Sequence, residues 1–307
     1  MGGLVSAEER QNSQGRIDGT LTTCGLVAGA LSLNNYQLDG EYALNELLAP
    51  SQQIQLVRYA TADQAATAAA ALAAVAGSAQ STAQGRARIA LAAALLGEPT
   101  WFSGAAPPAP TDYAAQEQQQ ADELSNFVLP FIVSARYQIE LAAGGNSSFT
   151  KGVNYAQELR RSSFRPEVQA LYRTAGLSLS RDLATLTRSA DITADPGAIA
   201  SLARTSMVTG RLSVPELDIH TIYDSSSRSS RRTGTASASP WRTPRPPRPA
   251  SAPSTRTVRS THPRWSTREA DGAHTPGRRT APPSNVLLLL DEYRPRCRTW
   301  TRGHSRT

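Results

Sequence analysis

The chain reads as an α/β protein: a fragment of a parallel sheet, interrupted by one large, mainly α-helical insertion and followed by a disordered C-terminal tail. Three observations predict this. Strand-like apolar runs at residues 20–24 and 212–222 stand on either side of a long helical stretch, and an amphipathic segment ahead of the first run makes a helix-turn-strand unit of α/β type. Charge then divides unequally along the chain. Up to Asp224 there are 15 Lys+Arg against 21 Asp+Glu, whereas the last 83 residues hold 17 against 4, so the basic balance of the whole belongs to the tail.

The elements follow in order. Residues 4–14 mix Leu4, Val5 and Ala7 with charges, as an exposed helix of a layered protein does, and residues 15–19 (Gly-Arg-Ile-Asp-Gly) read as its stop and turn. A strand fits residues 20–24, closed by Gly25. From about Leu33 to Thr205 the pattern is helical, with Ala-rich runs at 65–76 and 87–96. Leu124, Phe127, Val128, Phe131 and Ile132 share one helix face by spacing, and Pro130 within them predicts a kink. Pro166 and the pair Asp195-Pro196 mark two further helix starts. Two loops rich in Pro or Gly fall at 104–110 and 144–148; the second lacks the Gly-Lys-Ser/Thr ending of a phosphate-cradling loop and reads as a plain surface turn. Strand character returns at 212–222, led in by Pro215 and followed by Tyr223 and Asp224, the pattern by which a late parallel strand delivers an acid to the C-terminal edge of a sheet. Glu216 and Asp218 sit awkwardly in such a strand.

Several function classes find no support. Cys24 and Cys297 are too few and too far apart for a disulfide framework or a zinc site, and no cofactor motif or metal-ligand spacing occurs. The first residues have neither the basic start nor the apolar core of a signal peptide, and the longest aliphatic run, at 286–290, falls well short of the roughly 20 residues that span a bilayer. His220 reads as a packed strand residue rather than a catalytic base, and Cys24 as a small buried residue. Tyr36, Tyr42, Trp101, Phe102 and Tyr113 read singly as core aromatics, with the lining of a substrate channel as their joint alternative.

Beyond Asp224 the composition is dominated by Ser, Arg, Thr, Pro, Ala and Gly. Composition alone gives a disordered basic segment. Lys151 is the only lysine in a chain otherwise supplied with arginine, the usage of GC-rich codons, whose alternative frames stay open and translate into this same alphabet. Residues 225–235 permit codons that spell QLVPVEQENWY when read one base earlier, and at the same offset residues 257–264 permit HCAFxTPA, which places a histidine opposite Thr257. The tail is therefore expected to be out of frame.

Met1-Gly2-Gly3-Leu4 opening a helix resembles the second half of the S-M-G-G-L nucleophile elbow of the α/β-hydrolase superfamily, with the serine one codon before Met1. Residues 16–21 look like the helix end and next strand of such enzymes, and 214–224 like their acid-bearing strand. The resemblance implies four segments: 1–32, a core fragment; 33–205, a helical cap; 206–224, the strand carrying the acid; and 225–307, the tail. It implies a serine hydrolase of carboxylic esters, amides or peptides, working by a Ser-Asp-His mechanism without a cofactor, with Asp224 as triad acid and the Met1 backbone N–H as half of the oxyanion hole. Its substrate would be a small molecule or a peptide. Nucleophile and histidine depart from the pattern, so this chain is expected to be an inactive fragment, and the surviving strands to expose a bare apolar face. The alternative is a helical interaction protein whose basic tail binds nucleic acid through arginine-phosphate contacts. Against it, the arginines alternate with proline, and no nucleic-acid-binding pattern accompanies them.

Overall fold

The computed structural model describes residues 2–23, 29–102, 106–208 and 213–221, of which 218–221 in backbone only, and the backbone of 286–287. The protein is mostly helical, with a small parallel sheet. Helix α1 (Gly2–Asn12) leads through a turn into strand β1 (Thr20–Thr23). The helices that follow are α2 (Ala30–Leu48), α3 (Ala62–Ala79), α4 (Ala83–Leu96), α5 (Tyr113–Glu123), α6 (Leu129–Ala143), α7 (Tyr155–Arg161), α8 (Arg165–Thr174), α9 (Leu179–Ser189) and α10 (Pro196–Thr205). Strand β2 (Glu216–Thr221) then pairs in parallel with β1, Leu21 opposite Leu217. A two-residue strand β3 (Val286–Leu287) joins the far side of β2 in antiparallel sense; the rest of the segment read as a tail lies outside the described residues.

The helical unit is organised around α4. From Ile89 to Leu96 every residue of this helix is buried, so it is wrapped on all sides rather than amphipathic, by α2, α5, α7 and α8 among others. Its alanines let neighbours approach closely. A Cβ on Gly85 would run into the backbone of Ala79, and one on Gly40 of α2 into the side chain of Leu96. Because backbone cannot swing aside as a leucine can, Gly85→Ala is expected to destabilise the protein by about 1–3 kcal/mol, read as a lower urea midpoint at unchanged slope. Side-chain acceptors close the helix starts: Thr61 to the Gln64 N–H, Thr82 to Gly85, Asp112 to Ala115, Asn154 to Gln157 and Ser178 to Arg181.

Two expectations from the sequence are corrected. Ahead of Pro130, residues 124–128 form a π turn, and α5, this turn and α6 follow one another without a break, with the Leu129 N–H donating to the Leu124 carbonyl. The wider turn absorbs the missing proline N–H and the bulk of its ring. It also rotates the face. Leu124, Val128 and Ile132 are buried, whereas Phe127 and Phe131 are each 46% exposed and stack on one another with centroids 5.9 Å apart. Nor is 144–148 a surface turn, since Asn146, Ser147 and Ser148 are fully buried. The Asn146 side chain closes the loop on itself, accepting from the Ser148 N–H and donating to its carbonyl, while Asn34 of α2 donates to Ser147 Oγ. Side chains thus supply the polar partners that water would give a surface loop.

Glu216 belongs in its strand after all. Arg10, near the end of α1, forms an ion pair with it, and both groups are largely shielded from solvent. On the other face of the sheet Leu21 and Leu217 lie side by side and exposed, at 63% and 37%. Parallel strands are ordinarily covered on both faces, and here helix α1 covers one.

Candidate functional site

The orientation of α1 fixes where chemistry can occur. Its C-terminal end is held at the beginning of both strands: Arg10 meets Glu216, the Ser213 hydroxyl donates to the Arg10 carbonyl, Ser13 Oγ lies 3.0 Å from Ser213 Oγ, and the Thr20 N–H donates to Pro215. Packed on β1 and joined to it by a short turn, α1 runs antiparallel to the strands. Eleven helical residues rise about 16 Å and six strand residues about 20 Å, so the first turn of α1 reaches the edge at which β1 and β2 end. The free N–H groups of a helix start therefore lie at the C-terminal edge of a parallel sheet.

The helical unit roofs this edge. Leu4 of α1 packs on a cluster of Ala30, Ala143, Ala198 and Leu202, from the start of α2, the end of α6 and the middle of α10. The two ends of the unit are tied together as well, because the Ala30 N–H donates to the Ser206 carbonyl at 3.1 Å. At Gly29 the chain takes φ +86°, and a Cβ there would press on the Ser206 carbonyl, so glycine is the residue that permits this closure. Residues 30–206 thus leave and re-enter the sheet between adjacent parallel strands.

Of the residues singled out in the sequence, Met1, Asp224 and Cys24 lie outside the described residues, and His220 falls within β2 with its backbone alone described. Asp224 follows the end of β2 by three residues in sequence. Tyr36 and Tyr42 are buried, Tyr42 tilted against Tyr155 with its hydroxyl donating to the Leu186 carbonyl; Trp101, Phe102 and Tyr113 are partly exposed. None of these five borders either of the two open grooves along α3. The grooves measure about 410 and 430 Å³, the first between that helix and the end of α2, the second against residues 52–55. Leu47, in the first, is about 25 Å along α2 from Ala30, remote from the sheet edge. Among the described residues no group of three His, Cys, Asp or Glu is placed to hold a metal ion, and no helix is long and apolar enough to cross a membrane.

The polar side chains the sequence reading missed are those that brace the roof. Arg136 of α6 is fully buried and donates to Glu41 Oε1 at 2.8 Å, to Ser148 Oγ at 2.8 Å and to the Asn34 carbonyl at 3.0 Å. Burial pushes the Glu41 carboxyl up from its ordinary range, against the opposing pull of Arg136. One turn on, Glu140 accepts from the Arg58 and Tyr59 N–H groups; burial raises its pKa too, and those two bonds counter it. Asp195 caps no helix with its side chain. It takes Arg58 and the Asn146 N–H instead, and the bond from Arg58 first of all holds its pKa low. A signal was present: Arg136 and Glu140 fall at i+4 and i+8 from Ile132, on a face that otherwise buries apolar side chains.

Comparison of the chain with protein-family models, with curated proteins and with solved structures finds no match.

Proposed function

We propose that the chain derives from a serine hydrolase of α/β-hydrolase type acting on carboxylic esters or amides, with residues 33–205 as its cap. One observation carries this reading: a closed helical unit is inserted between two adjacent parallel strands and roofs the edge where α1 begins and β2 ends. That edge is where an acyl-transfer enzyme of layered α/β build assembles its groups. A serine on the turn entering α1 would attack the carbonyl carbon, and the first N–H groups of the helix would face the oxyanion. The acid following β2, Asp224, would hold a histidine in the tautomer that accepts the serine proton and returns it to the leaving group. The exposed face of Leu21 and Leu217 supports the reading further, because it is the face a second helical layer covers in a complete sheet.

The test is a gene with the elbow serine ahead of Met1, its upstream strands, and the frame corrected after codon 224. Its product is expected to release chromophore from a p-nitrophenyl ester in a burst and to be blocked by a serine-directed phosphonate. The chain of 307 residues alone is expected to do neither. A folded product of the corrected gene that lacked both responses would end the proposal.

A further inference from the structure

Where α4, α5 and α8 meet, two carboxyl groups are enclosed without a cation. Glu117 of α5 is 0% exposed and Glu167 of α8 2%. Glu117 Oε1 accepts from Gln80 Nε2 at 2.6 Å, but its Oε2, both oxygens of Glu167 and Gln120 Oε1 have no hydrogen-bond partner. Every one of these atoms is an acceptor, and the Gln120 amide is the neutral donor beside Glu167, countering part of the effect of its burial. Two buried carboxylates so placed would set like charges against each other in a low-dielectric interior.

We propose that Glu117 and Glu167 work as a pH-sensitive clasp between α5 and α8, closed while Glu167 is protonated and opened when that proton is lost. A protonated Glu167 removes one of the two like charges and turns one of its unpartnered acceptors into an O–H donor.

The surroundings agree. Arg86 of α4 draws Glu117 toward ionisation and Asp122 of α5 opposes it, while Glu98 and Glu123 add further buried acid side chains. Arg165 and Arg173 of α8 are exposed, and Glu158 of α7 is occupied with Arg161. Burial raises Glu117 to about 7, and burial followed by the Glu117 charge raises Glu167 to about 8. Both folded-state values exceed the ordinary value of 4.5, so the folded form holds protons that the unfolded chain has released. Stability is then full below about pH 4.5 and falls as the pH rises through 7 to 8. Opening would be felt beyond the pair, because α5 continues without a break into the π turn that carries the stacked Phe127 and Phe131.

The full chain tests this by two readouts. Infrared difference spectra between pH 6 and pH 9 are expected to show a loss of protonated-carboxyl carbonyl intensity on raising the pH, a loss that is smaller in Glu167→Gln and smallest in Glu117→Gln/Glu167→Gln. Amide hydrogen exchange in α5 and α8, corrected for the intrinsic pH dependence, is expected to quicken at least tenfold over the same range, and to lose that excess in the double variant. The single variant keeps the shape of the pair and removes the charge of Glu167, so it guards against a double variant that fails to fold. A loss unchanged by Glu167→Gln, or exchange in α5 and α8 without excess pH dependence, would overturn the clasp.

Discussion

Replacing Arg136 with methionine is expected to cost the helical unit about 3–5 kcal/mol, a large part of what a domain of this kind has to lose. The charge of Arg136 is fully enclosed, and so is its partner Glu41. Removing the guanidinium strands the Glu41 carboxyl, the Asn34 carbonyl and the Ser148 hydroxyl in an interior that offers no substitute donor. Arg136→Lys is expected to recover only part of the loss, because one ammonium cannot reproduce a planar fork reaching α2 and the 144–148 loop together. The double change Arg136→Met/Glu41→Leu separates the causes. If the stranded charge dominates, the double variant regains most of the stability; if it stays as weak as the single one, the bonds to Asn34 and Ser148 carry the effect. Urea midpoints at pH 7 measure all three. Because burial already raises the Glu41 pKa, the single variant is expected to lose less at acid pH, where Glu41 can take up a proton.

The second large effect concerns catalysis. If the proposed function holds, Asp224→Asn in the product of the corrected gene is expected to lower kcat by about 10³–10⁴-fold with KM little changed, as when a triad acid no longer fixes the histidine tautomer. Asp195→Asn serves as the control. That carboxylate is tied to Arg58 and the Asn146 N–H on the side of the roof and is partly exposed, so its loss is expected to cost about 1 kcal/mol of stability or less and to leave kcat unchanged. Equal losses in the two variants, measured by initial rates on the p-nitrophenyl ester, would remove Asp224 from the triad.

Much of the fold was legible because local signals and the tertiary arrangement agree. The helix-turn-strand unit at the start, the strand after Pro215 and the helix starts at Pro166 and Pro196 stand close to where their turn and cap residues placed them. Glu216 looked wrong for a strand only because its partner, Arg10, lies 206 residues away. The failures have the same origin. Spacing of three and four put Phe127 and Phe131 inside, but a π turn ahead of Pro130 shifted the phase and left both in solvent. Gly144-Gly145-Asn146-Ser147-Ser148 has the composition of an exposed turn, and only contacts with α2 and α6, distant in sequence, make its polar groups fit for burial. As for the site, the strand leading to Asp224 and the helix opening at Gly2 were both visible, whereas the roof that brings α2, α6 and α10 over Leu4 depends on packing that no single segment encodes.

Under the proposed function, a serine precedes α1 and the reading frame changes after Asp224. Sequencing the gene, with several hundred bases of upstream flank, tests it most directly. The expected result is an open frame entering Met1 through Gly-x-Ser codons, with one base lost near codon 224. Stop codons and a ribosome-binding site directly ahead of Met1, with the frame intact to codon 307, would contradict it and return attention to the basic tail.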